Sequence, residues 1–275
     1  MEILRKIDLF QKEINALRPM EGGMLGQIQD YYRVGLTWTS NALEGNSLTE
    51  SETKVLLEDG LTVGGKPLRD VFEAVDHAKA YDYMFSVFRE CRIDEQAVLK
   101  MHELFYHNIE PTYAGRYRDV RVLITGSQYP VAAPDKVQKE MDRLFEWVRQ
   151  ERGEYHPVEF AAQLHKRFVF IHPFKDGNGR VARLIMNLAL IQDGYLPAVV
   201  PPILRGDYVS LLERAHRDDG DFMEFIAERE FESQKEILRL FQIPFPKEGQ
   251  EQGMGQSHKC ELKQKMPKKY ALKEN

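Results

Sequence analysis

Apolar residues recur every three or four positions at Ile3, Leu4, Ile7, Phe10, Ile14 and Leu17, and again at Val137, Met141, Leu144, Phe145 and Val148, the spacing of amphipathic helices. The same period predicts helices over about 24-43, 50-59, 69-89, 95-108, 157-170, 180-193, 207-217 and 221-241, with Gly60, Gly153 and Gly194 as stop signals. The pattern implies an all-α fold. One stretch breaks it: Val120, Val122 and Ile124 alternate with polar residues, Gly126-Ser127 supplies a turn, and Tyr129 and Val131 follow. This predicts a short β-hairpin, either a lid over the core or an exposed edge that holds an extended peptide by strand addition. From Pro244 the apolar period stops and Lys, Gln and Gly dominate, which reads as a flexible tail.

The 275 residues allow one or two domains, and a 43% hydrophobic share suffices for a sizeable core. A net charge of −5 lacks the basic footprint of a nucleic-acid binder, so no nucleic-acid partner is expected. Cys91 and Cys260 lie far apart and outside any CxxC spacing; they suggest neither a zinc site nor a disulfide, and the cytoplasm is the expected compartment. The first residues alternate charge with apolar groups, and no stretch approaches a membrane-spanning run, so neither a signal peptide nor a membrane span is expected.

Candidate chemistry concentrates in HPFKDGNGRVAR, residues 172 to 183. The helix before it should end near Ile171, because the residue preceding Pro173 is pushed toward extended geometry. Beyond it Val181, Leu184, Ile185 and Leu188 form a buried stripe, so the motif joins two core helices. Gly177-Asn178-Gly179 permits positive φ and lets successive N–H groups converge at the start of the second helix, a seat for a phosphate. Arg180, Arg183 and Asn187 share one side of that helix, away from the apolar stripe. Cations in a first helical turn oppose the dipole by a few tenths to about 1 kcal/mol each unless an anion is near. Asp176 suits a hard cation such as Mg2+, and His172 is the one group in the stretch able to exchange a proton near neutral pH.

These twelve residues match HxFx[D/E]GNGRxxR, the motif of the Fic (filamentation induced by cAMP) family, at every fixed position. The flanking YHPVEFAAQLHKRFVFIHPF and RLIMNLALIQDGYLP also resemble that family. The resemblance implies a Fic-type helical bundle that transfers AMP from ATP to a Tyr, Thr or Ser hydroxyl of a protein and releases pyrophosphate. His172 would be the general base and Phe174 would anchor the loop. Asp176 would hold Mg2+ or Mn2+; the Gly177, Asn178 and Gly179 loop would cradle the α- and β-phosphates; Arg180 and Arg183 would hold the distal ones, with Phe174 and Lys175 also in the nucleotide site. N–H dipoles, the Asn178 amide and the metal would meet the charge that develops at phosphorus. The hairpin resembles the family's flap, Ile124, Thr125, Gly126, Ser127, Gln128 and Tyr129, which aligns the target by main-chain pairing. The implied partners are ATP and a target protein; self-modification and a homodimer are both compatible with the likeness.

A second motif, TSNALEGN at residues 39 to 46, fits the family's inhibitory [S/T]xxxE[G/N] signature through Ser40, Glu44 and Gly45. Gly45 reads as a helix terminator, and Thr49 with Glu52 as the capping box of the next helix. Glu44 then lies at the negative end of a helix dipole, where a carboxylate is unwelcome. An ill-placed carboxylate on one helix and ill-placed arginines on another predict that the two pair. The resemblance implies that Glu44 binds Arg183 and takes the place of the γ-phosphate. It also divides the chain into inhibitory helices at 1-60, a catalytic core at 61-243 and the tail at 244-275.

Three alternatives compete. A Doc-type kinase would place lysine where this chain has Gly179; Glu44 could also position a water that removes AMP from a modified protein; and a nucleotide-sensing module would need neither His172 nor Asp176. The remaining histidines, His77, His102, His107, His156, His165 and His216, lack ligand spacing and read as structural or surface residues, with His165 packed under the loop.

Overall fold

The apolar stripes become the buried faces of a helical bundle in a computed structural model that describes residues 1–17, 24–62, 64–90 and 92–246. The α-helices are α1 (Glu2–Ala16), α2 (Met24–Ala42), α3 (Glu50–Lys54), α4 (Leu68–Val87), α5 (Glu95–Tyr106), α6 (Val137–Glu151), α7 (Pro157–Ile171), α8 (Asn178–Gln192), α9 (Arg205–Arg214) and α10 (Gly220–Leu240). The last five residues of the helix predicted over 50-59 take π geometry, Val55–Asp59, before Gly60.

Local chemistry sets the helix ends. Thr49 and Glu52 form the predicted capping box: the Glu52 N–H donates to Thr49 Oγ1 at 3.2 Å and the Thr49 N–H to Glu52 Oε2 at 2.7 Å. Asp94 caps α5 by accepting from the Ala97 N–H, and Pro157 occupies the first turn of α7, where a missing N–H costs nothing. At the end of α2, Gly45 adopts a φ of 95° and the Asn46 N–H returns to the Asn41 carbonyl.

Helix α8 is the axis of the bundle. All of its fifteen residues except Gly179 and Ile191 are buried, with α7 along one side and α4 and α5 along another. Helices α1 and α10 pack together and α10 closes over α7, so one core cluster runs from Leu4 to Leu238. A helix enclosed on all sides must satisfy its polar side chains internally. Asn187 does so by accepting from the Ala198 N–H at 2.8 Å; it ties the loop after α8 instead of facing the cleft with the arginines.

The predicted β-hairpin is corrected: among the described residues there is no strand, and 117–133 is an extended loop. The turn itself forms, with the Ser127 N–H donating to the Ile124 carbonyl and Gly126 at φ 87°. A positive φ at only the third turn residue makes it a type II turn, whose twist splays its arms where a hairpin needs a primed turn. Of the predicted tail, Phe245 packs against Phe10 with ring centroids 5.4 Å apart; residues 247–275, with Cys260, and Cys91 lie outside the described residues. No described helix is long and apolar enough to cross a membrane.

Candidate active site

Helix α7 ends on His172, which caps it with φ 54° and ψ 61°, left-handed geometry that a non-glycine residue adopts only when held there. Pro173 bars further helix, and Phe174 turns inward, fully buried and stacked on the His102 ring at 3.7 Å and 3°. The anchoring role expected of Phe174 thus has a partner, His102, that sequence reading treated as merely structural. The Gly115 N–H donates to His102 Nδ1, so Nε2 carries the proton and faces the Asp176 carbonyl at 3.2 Å. Burial pushes this imidazole down to about 4, so it stays neutral.

The Asn178 amide was expected to face the ligand, and the structure corrects this. Its Oδ1 accepts from the Phe174 N–H at 2.8 Å and its Nδ2 donates to the Phe174 carbonyl at 2.9 Å, which closes the loop on itself. The reason is its 2% exposure: a buried amide must spend its donors and acceptor on the nearest backbone. Gly177 starts α8 at φ 80°, and a Cβ there would lie 2.9 Å from the Phe105 ring. Gly177→Ala is expected to combine left-handed strain with overpacking, costing about 2–4 kcal/mol and roughly 5–15 °C of melting temperature. A thermal melt that stays within 2 °C (about 1 kcal/mol or less) would refute the close packing.

The charged groups form one connected system. Arg183, 5% exposed, donates from Nε to Ser40 Oγ and from Nη2 to the Ser40 carbonyl, both at 2.9 Å, and from Nη2 to Glu44 Oε1 at 2.7 Å. Its Nη1 reaches Tyr208 Oη at 3.4 Å, and that hydroxyl meets His165 Nε2 at 2.8 Å, so His165 is a buried structural residue packed against Tyr208 and Phe222. Burial would raise the Glu44 carboxyl, but the charges of Arg183 and Arg180 outweigh it and hold the group below its usual range. Glu44 also rests on the start of α8, where a Cβ on Gly179 would collide with its Oε1.

Arg180, stacked over Phe105, pairs with Glu73 at 3.1 Å and Asp176 at 3.4 Å. Arg69 of α4 bridges the same two acids at 3.1 and 3.0 Å, completing a ring of alternating charge. Glu44, Arg69, Asp70, Glu73, Asp176 and Arg180 border a polar cleft of about 210 Å³. Lys175 stands apart: it donates to Glu110 Oε1 at 2.7 Å and lies over the Tyr113 ring.

His172 itself is pushed down to about 4, first by burial and then by the charge of Arg118; Asp176 and Glu44 act the other way. The turn expected to form the flap is pinned at its tip: Glu213 accepts from Ser127 Oγ at 2.8 Å and from the Gln128 N–H at 2.7 Å. Tyr129 stacks on His216 and accepts from Arg217 Nε. Ile124, Thr125 and Gly126 lie exposed on the loop.

Comparisons with known proteins place the chain among related sequences and folds. A model of the Fic/DOC family matches residues 92–190. A protein adenylyltransferase Fic of Nematostella vectensis is 33% identical over 232 residues, which cover 82% of this chain and 53% of that protein. The chain belongs to the Fic/DOC family. Protein adenylyltransferase fic-1 of Caenorhabditis elegans is 31% identical over 68% of this chain and 37% of its own length, so this Fic chain spans about half or less of the curated relatives it matches. The solved structure of Fic-1 residues 134–508 from C. elegans superposes with a TM-score of 0.79 at 27% identity, over 88% of this chain and 72% of that one. A Fic domain containing signaling protein of Bacteroides thetaiotaomicron superposes with 0.80 at 26% identity, over 88% and 100%.

Proposed function

We propose that this Fic chain transfers AMP from ATP to a Tyr, Thr or Ser hydroxyl of a protein, and that Glu44 restrains it. The observation that carries the reading is the union, around one loop, of a proton acceptor, a helix N-terminus and two buried arginines, each already holding a carboxylate. The names of the curated relatives support the same reaction.

The first amides of α8, at Asn178, Gly179 and Arg180, have no intrahelical acceptor and would meet the α- and β-phosphates. Arg183 would hold the γ-phosphate once Glu44 leaves it, with Arg180 beside it. The loop at 124–129 would align the acceptor segment. His172 would take the proton of the acceptor hydroxyl as its oxygen bonds to the α-phosphorus and pyrophosphate departs with the electrons of the broken bond.

Asp176 fits a hard divalent cation, Mg2+ or Mn2+: its carboxylate borders the cleft and is 42% exposed, Oδ1 is aimed by the Gly177 N–H at 2.6 Å, and its guanidinium contacts are ones a cation can replace. Bound there, the ion would neutralise phosphate charge. Asp176→Asn, or a chelator, is expected to lower turnover by about 100-fold or more, with Mg2+ readdition restoring only the chelated protein. Activity that survives the chelator would remove the cation from the reading.

The reaction is tested by incubating wild type and Glu44→Gly with Mg2+ and ATP labelled separately at the α and γ positions. Label from α on protein is the expected result; label from γ would mean a kinase, and label from neither would overturn transfer.

A further inference from the structure

Arg118 lies in the loop between α5 and α6 and is 2% exposed. A buried guanidinium ordinarily faces a carboxylate. Here each of its side-chain hydrogen bonds among the described residues runs to a main-chain carbonyl: Nε to His172 at 2.7 Å, Nη1 to Val120 at 3.0 Å and Nη2 to Ala132 at 2.5 Å. Its own N–H donates to the Pro173 carbonyl at 2.9 Å. Val120 lies on the outgoing arm of the 117–133 loop and Ala132 on the returning arm, while His172 and Pro173 begin the catalytic loop. With no strand ladder between the arms, one planar fork sets their spacing and their distance from His172.

We propose that Arg118 is a positioning residue that locks the acceptor-aligning loop and the left-handed backbone of His172 into one unit, so that a single guanidinium sets both acceptor alignment and base placement. This rests on the adenylyl-transfer reading above. The tip of the loop is held differently, by Glu213 and Arg217 at the surface, and these contacts exchange readily with water or a bound segment. The root is buried and fixed. Without a bond to its carbonyl, His172 would relax from a backbone conformation that only surrounding structure sustains.

Arg118 also acts through its charge. The charged groups that bear on the His172 imidazole are Arg118 from the loop, Asp176 from its own turn and Glu44 from the end of α2. Arg118 disfavours the imidazolium and the two carboxylates favour it. Lysine at 118 would keep this charge and lose the fork; glutamine would lose both.

The test compares Arg118→Lys and Arg118→Gln with their parent, the full chain carrying Glu44→Gly. Four quantities are read: total AMP released from α-labelled ATP to water and protein, ATP affinity, exchange of the amides of 120–132, and the titration of the His172 ring by NMR. Expected for both variants is turnover reduced by about 10-fold or more with ATP affinity within about 2-fold. Amide exchange should rise at 120–132 and not in α8. The ring should titrate as in the parent with lysine, and about one pH unit higher with glutamine.

Should the glutamine variant not fold, the lysine variant decides by turnover and exchange. Parental turnover and protection in Arg118→Lys, or a loss of protection spread evenly over the chain, would overturn the positioning role. A parent that releases no AMP overturns the adenylyl-transfer reading instead, and the exchange and titration arms still judge Arg118.

Discussion

Glu44→Gly is expected to raise AMP transfer by about 100-fold and to lower the melting temperature at the same time. The carboxylate accepts from Arg183 at 2.7 Å while lying against the first turn of α8, so it occupies both the cation and the helix end that the proposed triphosphate would require. Two anions cannot share that seat, so on the adenylyl-transfer reading ATP would have to displace Glu44 to adopt a reactive pose. Breaking a buried ion pair costs about 3–5 kcal/mol. The Glu44 side chain is 35% exposed, which reduces the figure to about 2–3 kcal/mol, or some 30- to 150-fold in rate at 1.4 kcal/mol per decade.

The same interaction now stabilises the resting fold. Arg183 keeps Ser40 and Tyr208 in the glycine variant, so the fold should survive with a melting temperature lower by about 4–8 °C. Faster transfer with reduced stability is the signature of an inhibitory contact. Equal rates of α-label incorporation in wild type and variant would remove Glu44 from the inhibitory role, whatever the melt shows.

The pairing of Glu44 with Arg183 was legible in the sequence because Glu44 follows the C-terminal end of its helix, where a carboxylate is unwelcome, and the arginines of α8 are the cations that can relieve it. The helices were legible for a simpler reason: their stripes, the capping box at Thr49 and the stop at Gly45 are local codes. Partners brought from other helices left fainter marks. Glu73 and His102 occupy the apolar stripes of α4 and α5, beside Ala80 and Met84 and beside Met101 and Phe105, and a polar residue on such a stripe signals a buried partner.

Arg69, Tyr208 and Glu213 carry no such signal, since their positions read as ordinary surface or core. Arg118 is harder still, because its partners are carbonyls, which every residue possesses. The alternation at 120–124 was read as strand, yet β pattern requires a closing turn of the right hand, and Gly126 provides the wrong one.

His172→Ala is expected to lower AMP transfer by about 1000-fold in the Glu44→Gly background, within the range that a positioned base supplies. ATP affinity should change little, because the ring does not border the polar cleft that Arg69 and Arg180 line. The fold should tolerate the change as well: the imidazole Nδ1 is buried without a hydrogen-bond partner, so alanine gives up little polar bonding.

The pH dependence separates His172 from a bystander. Its pKa, depressed to about 4 by burial and by Arg118, means that the neutral, proton-accepting form predominates above that value. Transfer should therefore persist through pH 6 and fall only as the ring gains a proton near 4; an unperturbed histidine would cost the rate already near 6.5. Glu44 favours the imidazolium, so its removal moves the acid limb further down and not up. An acid limb near 6.5, or an alanine variant with parental turnover, would take the proton transfer away from His172. Among the described residues no carboxylate bonds the His172 ring as in a triad; the left-handed backbone at the end of α7 and the bond to its carbonyl orient it, and a low pKa follows from the same burial.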